Sequence, residues 1–195
     1  MRTLTVIESL SLDGVMQAPG GPDEDRRGGF EHGGWAAPYN DDVMAREMGK
    51  GMGRTELLLG RRTWELLRDA WSQRTDPNPF TEVLNATRKH VASRTLHEPL
   101  SWQNSVLLDG GAAQAVPRLK AEDGPDLGVL GSGDLVRSLM ASGLVDTWLL
   151  LIHPLVLGSG RRLFPDGGGL DRLELVDSVT TTKGVLIATY RPASA

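Results

Sequence analysis

With 195 residues, 39% of them hydrophobic and 24% charged, the chain has ordinary globular proportions, which excludes disorder or a collagen-like repeat along its whole length. Its formal net charge of -4, from 21 Lys plus Arg against 25 Asp plus Glu, gives no general attraction to nucleic acid or an anionic membrane, while leaving room for one local basic pocket that holds a phosphate. There is no cysteine, so disulfides, thiolate nucleophiles and cysteine metal sites are excluded together.

The first residues lack the apolar run and small-residue cleavage site of a signal peptide, and no stretch approaches the length of a membrane span. These features predict a cytoplasmic protein of one domain over residues 1–195. Residues 4–7 read as a short apolar strand. Residues 9–40 form a long glycine-rich stretch with Pro19-Gly20-Gly21-Pro22, Gly28-Gly29 and Gly33-Gly34. Loops of this length in compact domains are usually functional or disordered, and its place after the first strand suits a lid. A helix is expected over 41–52, capped by Asn40 or Asp41, then a strand over 56–59 ending at Gly60 and a helix opening at 62–67. A loop at 76–79 precedes a short helix at 80–86. Strands are expected at 89–93 and 105–108, and a helix at 112–122 despite Pro117. A strand at 127–130 turns through Gly131-Ser132-Gly133 into a helix reaching about Ser142. Residues 145–152 are nearly continuously apolar, as a strand buried in a sheet should be. Residues 173–182 and 184–191 alternate in a strand-like way around Lys183-Gly184, which predicts a hairpin. Strands alternating with helices, then an antiparallel pair, predict a three-layer α/β fold: a mostly parallel central sheet flanked by helices, with an antiparallel C-terminal edge.

In such sheets ligands bind beyond the carboxyl ends of the strands, which directs attention to residues 11–14, 60–63, 93–95 and 131–134. Gly60 lets the backbone approach a ligand, and the helix that follows begins with unpaired N–H groups suited to phosphate. Arg61 or Arg62 can add charge-assisted bonds, and Thr63 a hydroxyl. A solvated arginine pair beside a helix start is an equally good reading of that spacing. Gly131, Ser132 and Gly133 permit backbone contact with a pyrophosphate, although Val136 stands where the dinucleotide fingerprint has its third glycine. Asp134 reads as an N-cap or first-turn carboxylate facing away from an anion. Ser93, Arg94 and Thr95 suit either the extra phosphate of an NADPH ribose or an ordinary polar loop. Asp13-Gly14 is a common turn pair, and its carboxylate alternatively meets substrate at the mouth of the first strand.

Other chemistries find little support. His32, His90, His97 and His153 are scattered without metal-ligand spacing, and His153 reads as a packed residue. There is no phosphate-binding loop of the Gly-Lys-Ser/Thr kind and no Gly-x-Ser-x-Gly elbow. Trp35 and Tyr39 flank the glycine-rich stretch and are candidates to line a flat-ring pocket.

The ordered set of Ser11-Leu12-Asp13-Gly14, Gly60-Arg61-Arg62-Thr63-Trp64-Glu65, residues 89–96, Gly131-Ser132-Gly133 with Leu135, Leu139, Leu144, Val145 and Asp146, and Ile152-His153-Pro154 with Gly158-Ser159-Gly160 and Leu163-Phe164 covers nearly the whole chain. In that set the chain resembles the dihydrofolate reductase-like superfamily, and more closely the reductase domain of the riboflavin-biosynthesis deaminase–reductase (the RibD C-terminal domain) and its stand-alone bacterial relatives. The resemblance implies a mostly parallel sheet flanked by helices, NADPH extended across the strand ends, and a homodimer. It implies that Gly60, Arg61 and Thr63 hold phosphates. Ser93 and Arg94 would lie near the adenosine phosphate, Gly131, Ser132 and Gly133 on the pyrophosphate, and Asp13 near substrate and nicotinamide. Dihydrofolate reductases also carry a carboxylate inside the helix after the loop. Here Asp41, Asp42 and Glu47 are nearby without matching it, which argues against folate reduction, and no zinc deaminase segment is present. The expected activity is hydride transfer from NADPH to a C=N or C=O bond of a small heterocycle, pterin- or pyrimidine-like, the proton coming from Asp13 or water. The rival expectations are a non-catalytic binder of an aromatic ligand, a flavin protein and, least, a nucleic-acid partner.

Overall fold

The structure is a computed structural model that describes residues 1–51, 54–74, 79–164, 166–167 and 169–193. The chain runs β1 (Leu4–Ser11), α1 (Asp42–Gly49), β2 (Thr55–Gly60), α2 (Arg61–Trp71), α3 (Pro79–Ala86), β3 (Lys89–Ala92), β4 (Ser105–Leu107), α4 (Ala112–Ala121), β5 (Asp126–Leu130), α5 (Gly133–Ala141), β6 (Thr147–His153), β7 (Leu173–Thr180) and β8 (Leu186–Pro192). The strands hydrogen-bond in the order β4-β3-β2-β5-β1-β6-β8-β7. This is the expected α/β fold, a mostly parallel sheet with an antiparallel pair at its C-terminal edge. The loop expected at 76–79 falls mostly outside the described residues, as does the end of the helix expected to reach Met52. Among the described residues no helix is long and apolar enough to cross a membrane. The chain divides into two compact units, Met1–Thr5 with Gly51–Val145, and Val6–Lys50 with Asp146–Ala195.

In the first unit β2 pairs in parallel with β3 and β5, and β3 with β4. Leu57, Leu58 and Leu59 are all buried, which is why β2 reads as an unbroken apolar run rather than an alternation. Leu57 and Leu59 pack with Trp64, Leu84, Val91 and Trp102, and the Trp64 indole donates to Ser105 Oγ at 2.9 Å. Pro117 sits inside α4 and forgoes one intrahelical bond, yet the helix runs on to Ala121. Lys89, wholly buried at the start of β3, donates through Nζ to Thr87 O (2.6 Å) and Gln103 O (3.1 Å) and lies 4.4 Å from the Trp102 ring centroid. Glu56 accepts from Arg2 at 2.6 Å and meets His90 Nε2 at 2.7 Å.

In the second unit β8 pairs antiparallel with β6 and β7, and the ladder shifts register between Leu175 and Asp177. Met44, Leu151, Val185 and Ile187 form one core, joined by Ile7, Tyr39, Met48 and Leu149. β1 continues four residues beyond its expected end at Ile7, because Glu8, which reads as the polar terminus of the strand, is a buried residue within it. Residues 12–40 are folded onto a core of their own, Val15, Ala18, Phe30, Trp35 and Ala36, with Leu155 and Leu157 against it. Two glycines, Gly33 in this stretch and Gly160 packed against it, follow from close packing. A Cβ on Gly160, at φ +113°, would lie 2.7 Å from both the Phe30 ring and Val15, and one on Gly33 would lie 2.5 Å from Pro22 O.

Candidate functional site

The parallel register of the first unit brings three of the expected turns to one edge of its sheet. Gly60 stands opposite Ala92, so Ser93 follows β3 where Arg61 follows β2. β5 runs parallel on the other side of β2 and ends in Gly131-Ser132-Gly133. Two contacts join the turns after β2 and β5: the Gly60 N–H donates to Ser132 Oγ at 3.0 Å, and a Cβ on Gly131 would meet Thr63 at 3.6 Å. Ser132 itself adopts the left-handed region at φ 62°, ψ 40°, which few non-glycine residues do and which tends to mark binding sites. Its hydroxyl donates to Leu130 O at 3.1 Å while accepting from Gly60, so it locks the two strand ends together. What this turn offers an anion is therefore its backbone N–H groups rather than the Ser132 hydroxyl.

Three helix starts of the first unit share a property. Gly60 before α2, Gly111 before α4 and Ser132 before α5 make no side-chain cap. None of the three helices has a side-chain acceptor at its N-cap, and an uncapped start with the positive end of the dipole is the arrangement suited to phosphate. Arg61 and Arg62 are exposed, Arg61 in a 3.3 Å ion pair with Glu65, and Arg94 is exposed after β3. Ser93 Oγ accepts from Thr95 N (3.1 Å) and Leu96 N (3.0 Å), closing a local turn. Asp134 sits in the first turn of α5 paired with Arg137, as a first-turn carboxylate rather than the cap. Sequence reading missed the turn Gly110-Gly111 after β4, although a glycine pair between a strand and a helix is the same signal that drew attention to residues 131–133.

In the second unit Trp35 and Tyr39 converge on His153. Both rings meet the imidazole edge to face, at 5.1 and 5.6 Å between centroids. Trp35 is buried with Nε1 donating to Gln17 O at 2.7 Å, and Tyr39 is half-buried. His153 is packed, as expected, with Nδ1 at 2.9 Å from Leu151 O, and burial pushes its pKa down, keeping the ring neutral. Beside these rings in sequence, Ala36, Ala37 and Asn40 line a cleft of about 180 Å3 with Ser9, Pro19 and Gly20. That is the room of one six-membered ring, judged against the roughly 150 Å3 cavity that holds benzene in another protein.

Asp13 lies elsewhere in the unit and does a different job from the one expected. Its Oδ1 accepts from Ser11 Oγ (2.7 Å) and Leu157 N (3.1 Å), and its Oδ2 from Gly158 N (2.9 Å). The Ser11 hydrogen bond, with the two backbone ones, pulls its pKa down to about 2. It is thus an ionised acceptor that fixes the 155–158 segment, and at neutral pH it has no proton to give. Asp41, expected near the start of a helix, caps α1 through Met44 N at 2.8 Å and also accepts from Thr182 Oγ1 at 2.6 Å.

Comparison with known proteins fits this arrangement. The family model of the RibD C-terminal domain matches residues 2–187. The uncharacterised protein YyaP of Bacillus subtilis is 30% identical over 137 residues, 69% of this chain and 72% of that protein. YwjB of the same organism, also uncharacterised, is 34% identical over 68 residues, 34% of this chain and 39% of that protein. Among solved structures, a putative riboflavin biosynthesis protein from Shewanella sp. PV-4 superimposes with a TM-score of 0.71 at 20% identity, covering 98% of this chain and 99% of that one. A pyrimidine reductase-like protein from Corynebacterium diphtheriae gives 0.66 at 14% identity, covering 100% and 93%. These last two speak for the fold. The family model and the YyaP match go further, and this chain belongs to the RibD C-terminal domain family.

Proposed function

We propose that this protein is a cytoplasmic, homodimeric NADPH-dependent reductase that moves a hydride to a C=N or C=O bond of a small heterocyclic molecule. The observation that carries the reading is the set of helix starts without side-chain caps at one edge of the first unit's sheet. An added Cβ at Gly60 or Gly131 would lie 3.6 Å from Ser132 or Thr63, and the Gly60 N–H is taken by Ser132 Oγ, so the N–H groups that follow Gly60 and those at residues 131–133 are the donors a dinucleotide phosphate would use. Gly60, Arg61, Thr63 and the Gly131-Ser132-Gly133 backbone would hold the phosphates, and Ser93 and Arg94 the phosphate on the adenosine ribose. NADPH, when bound, supplies the hydride. Trp35 and Tyr39 would bind the flat ring of the substrate, and their sequence neighbours Ala36, Ala37 and Asn40 line a cleft with room for one ring. The resemblance to proteins named for riboflavin biosynthesis and pyrimidine reduction supports a nitrogen heterocycle as substrate.

Titration with NADPH and NADH, followed by nicotinamide fluorescence, tests this. NADPH is expected to bind at least 10-fold more tightly than NADH, and Arg61→Ala with Arg94→Ala to weaken it by about 10–100-fold, the range for losing two charge-assisted contacts. Equal affinity before and after the double substitution would remove the phosphate assignments. Binding of neither nucleotide would remove the reductase reading.

A further inference from the structure

Two side chains at the one-ring cleft take no part in holding the fold. The cleft is lined by Ser9, Pro19, Gly20, Ala36, Ala37 and Asn40, so the Ser9 hydroxyl and the Asn40 carboxamide are the polar side-chain groups of its wall. Ile7 packs with Tyr39, and Ser9, two residues further along β1, faces the same side of the strand. Ser9 and Asn40 are half-buried, and among the described residues neither side chain makes a hydrogen bond. The backbone donors around them are already taken. Gly20 N donates to Glu24 Oε2 at 2.6 Å, Ala36 N to Pro19 O, Ala37 N to Gly34 O and Asn40 N to Ala37 O. None of the lining residues is charged. Asp41, next to Asn40, accepts from Met44 N, Thr182 Oγ1 and Lys183 N. An anion would therefore meet no positive side chain on this wall, and a cation no carboxylate. What the wall offers is neutral and two-sided: a carboxamide with its NH2 donor beside its C=O acceptor, and a hydroxyl that serves as either.

We propose that Asn40, with Ser9, determines which ring the cleft accepts, and that it selects an uncharged lactam edge, N–H beside C=O. That such a ring is the one reduced rests on the reductase reading. The Asn40 C=O accepts from the lactam N–H while its NH2 donates to the lactam C=O, and the Ser9 hydroxyl meets whichever group remains. A cationic edge with two donors turns one of them against the Asn40 NH2. An anionic edge with two acceptors turns one against its C=O. An apolar ring covers both groups and leaves them unpaired, which is how a hydrogen-bonding pocket rejects an analogue lacking the matching group. Aspartate has the shape of asparagine with two acceptors and a charge, so at position 40 it would prefer the edge that asparagine rejects.

The test uses the full chain and three one-ring probes: 2-pyridone, which has the lactam edge; N-methyl-2-pyridone, which lacks its N–H; and the 2-aminopyridinium cation, which has donors only. Titrations with and without saturating NADPH are followed in 1H–15N spectra through the Asn40 side-chain NH2 signal, assigned by its absence from Asn40→Asp. 2-Pyridone should shift that signal and bind about 10-fold more tightly than either other probe, the scale of one or two matched hydrogen bonds. Asn40→Asp should reverse the order, favouring the cation by about 10-fold, with a thermal melt close to that of wild type. Ser9→Ala should weaken 2-pyridone by about 3-fold. Asn40→Ala, which stands in if the aspartate variant does not fold, should bind the three probes alike. A 2-pyridone that leaves the Asn40 signal unmoved, a wild type that takes the cation as readily, or an unchanged order in Asn40→Asp overturns the proposal. A wild type that binds NADPH but none of the rings overturns it too, and leaves the reductase reading in place. One that selects 2-pyridone through Asn40 but binds no NADPH upholds the ring selection and removes the reductase reading.

Discussion

The two units solve the same local problem in opposite ways. In the first, strand ends pass into α2, α4 and α5 with no side chain capping the helix, and the turns are held by backbone and by the Ser132 hydroxyl. In the second, α1 is capped by Asp41, Asp13 closes the 155–158 segment, and Glu24 closes the turn at Gly20. The N-cap position is thus filled by a carboxylate acceptor at α1 and by no side-chain acceptor at α2, α4 and α5. The difference is one of capping: three helix starts of the first unit have no side-chain cap, while carboxylates close the helix start and loops of the second.

The largest effect that would sharpen this contrast is expected at Gly160. Alanine there must hold φ +113° and place a Cβ 2.7 Å from Phe30 and Val15, so Gly160→Ala should cost about 2–4 kcal/mol, by the usual size of backbone strain plus overpacking. Thermal unfolding measures it, and an unchanged melting temperature would show that residues 12–40 are not held by that core. Next comes Ser132. Ser132→Ala leaves the Gly60 N–H without its acceptor and keeps the left-handed strain, at about 1–3 kcal/mol. Ser132→Gly loses the same bond but relieves the strain, so it should recover about 1 kcal/mol of that. Equal losses in the two variants would mean the left-handed backbone costs nothing.

Much of this architecture was legible in the sequence because it is local. Gly60 before Arg61, and Gly131-Ser132-Gly133 before Leu135, are strand-to-helix turns whose residue types show what the backbone must do, and the structure has them where they were expected. The Ser132 bond to Gly60 spans 72 positions, and nothing in the turn's own residues announces it. Glu8 was misleading for a related reason: a carboxylate after a short apolar run looks like a strand end unless its burial is known. Asp13 looked like a reactive group at a strand mouth, but its partners Leu157 and Gly158 are 144 and 145 residues away. The convergence of Trp35 and Tyr39 on His153 was half visible, since the two aromatics were noticed and the histidine between them was set aside as packing.

Asp13 offers a smaller effect, with a pH signature. Its folded pKa, about 2, lies below its unfolded value near 3.8, so the unfolded chain takes up the proton first as pH falls. The stabilisation is fully present above 3.8 and is lost as pH drops toward 2, and with the side chain 18% exposed it amounts to roughly 2 kcal/mol at most. Asp13→Asn should therefore lower stability at neutral pH and flatten its dependence between those values, read by urea melts at several pH values. The curves of wild type and variant staying parallel through that window would show that the carboxylate's charge is not what holds residues 155–158.

The smallest effect belongs to Asp41, and it decides how far the capping contrast extends. The Thr182 hydroxyl, then Met44 N, pull its pKa down to about 2, so it too should stabilise above 3.8 and lose that contribution as pH falls. It is an exposed group, however, and asparagine is as good a helix cap as aspartate. Asp41→Asn should thus keep the cap on α1 and give up only the ionised acceptor for Thr182 and Lys183, shifting the acid-unfolding midpoint less than Asp13→Asn does. Asp41→Ala removes both and should shift it further. If the alanine and asparagine variants melt alike, the cap itself carries nothing. The second unit would then differ from the first in which acceptors it lends to its loops, and not in needing them at a helix start.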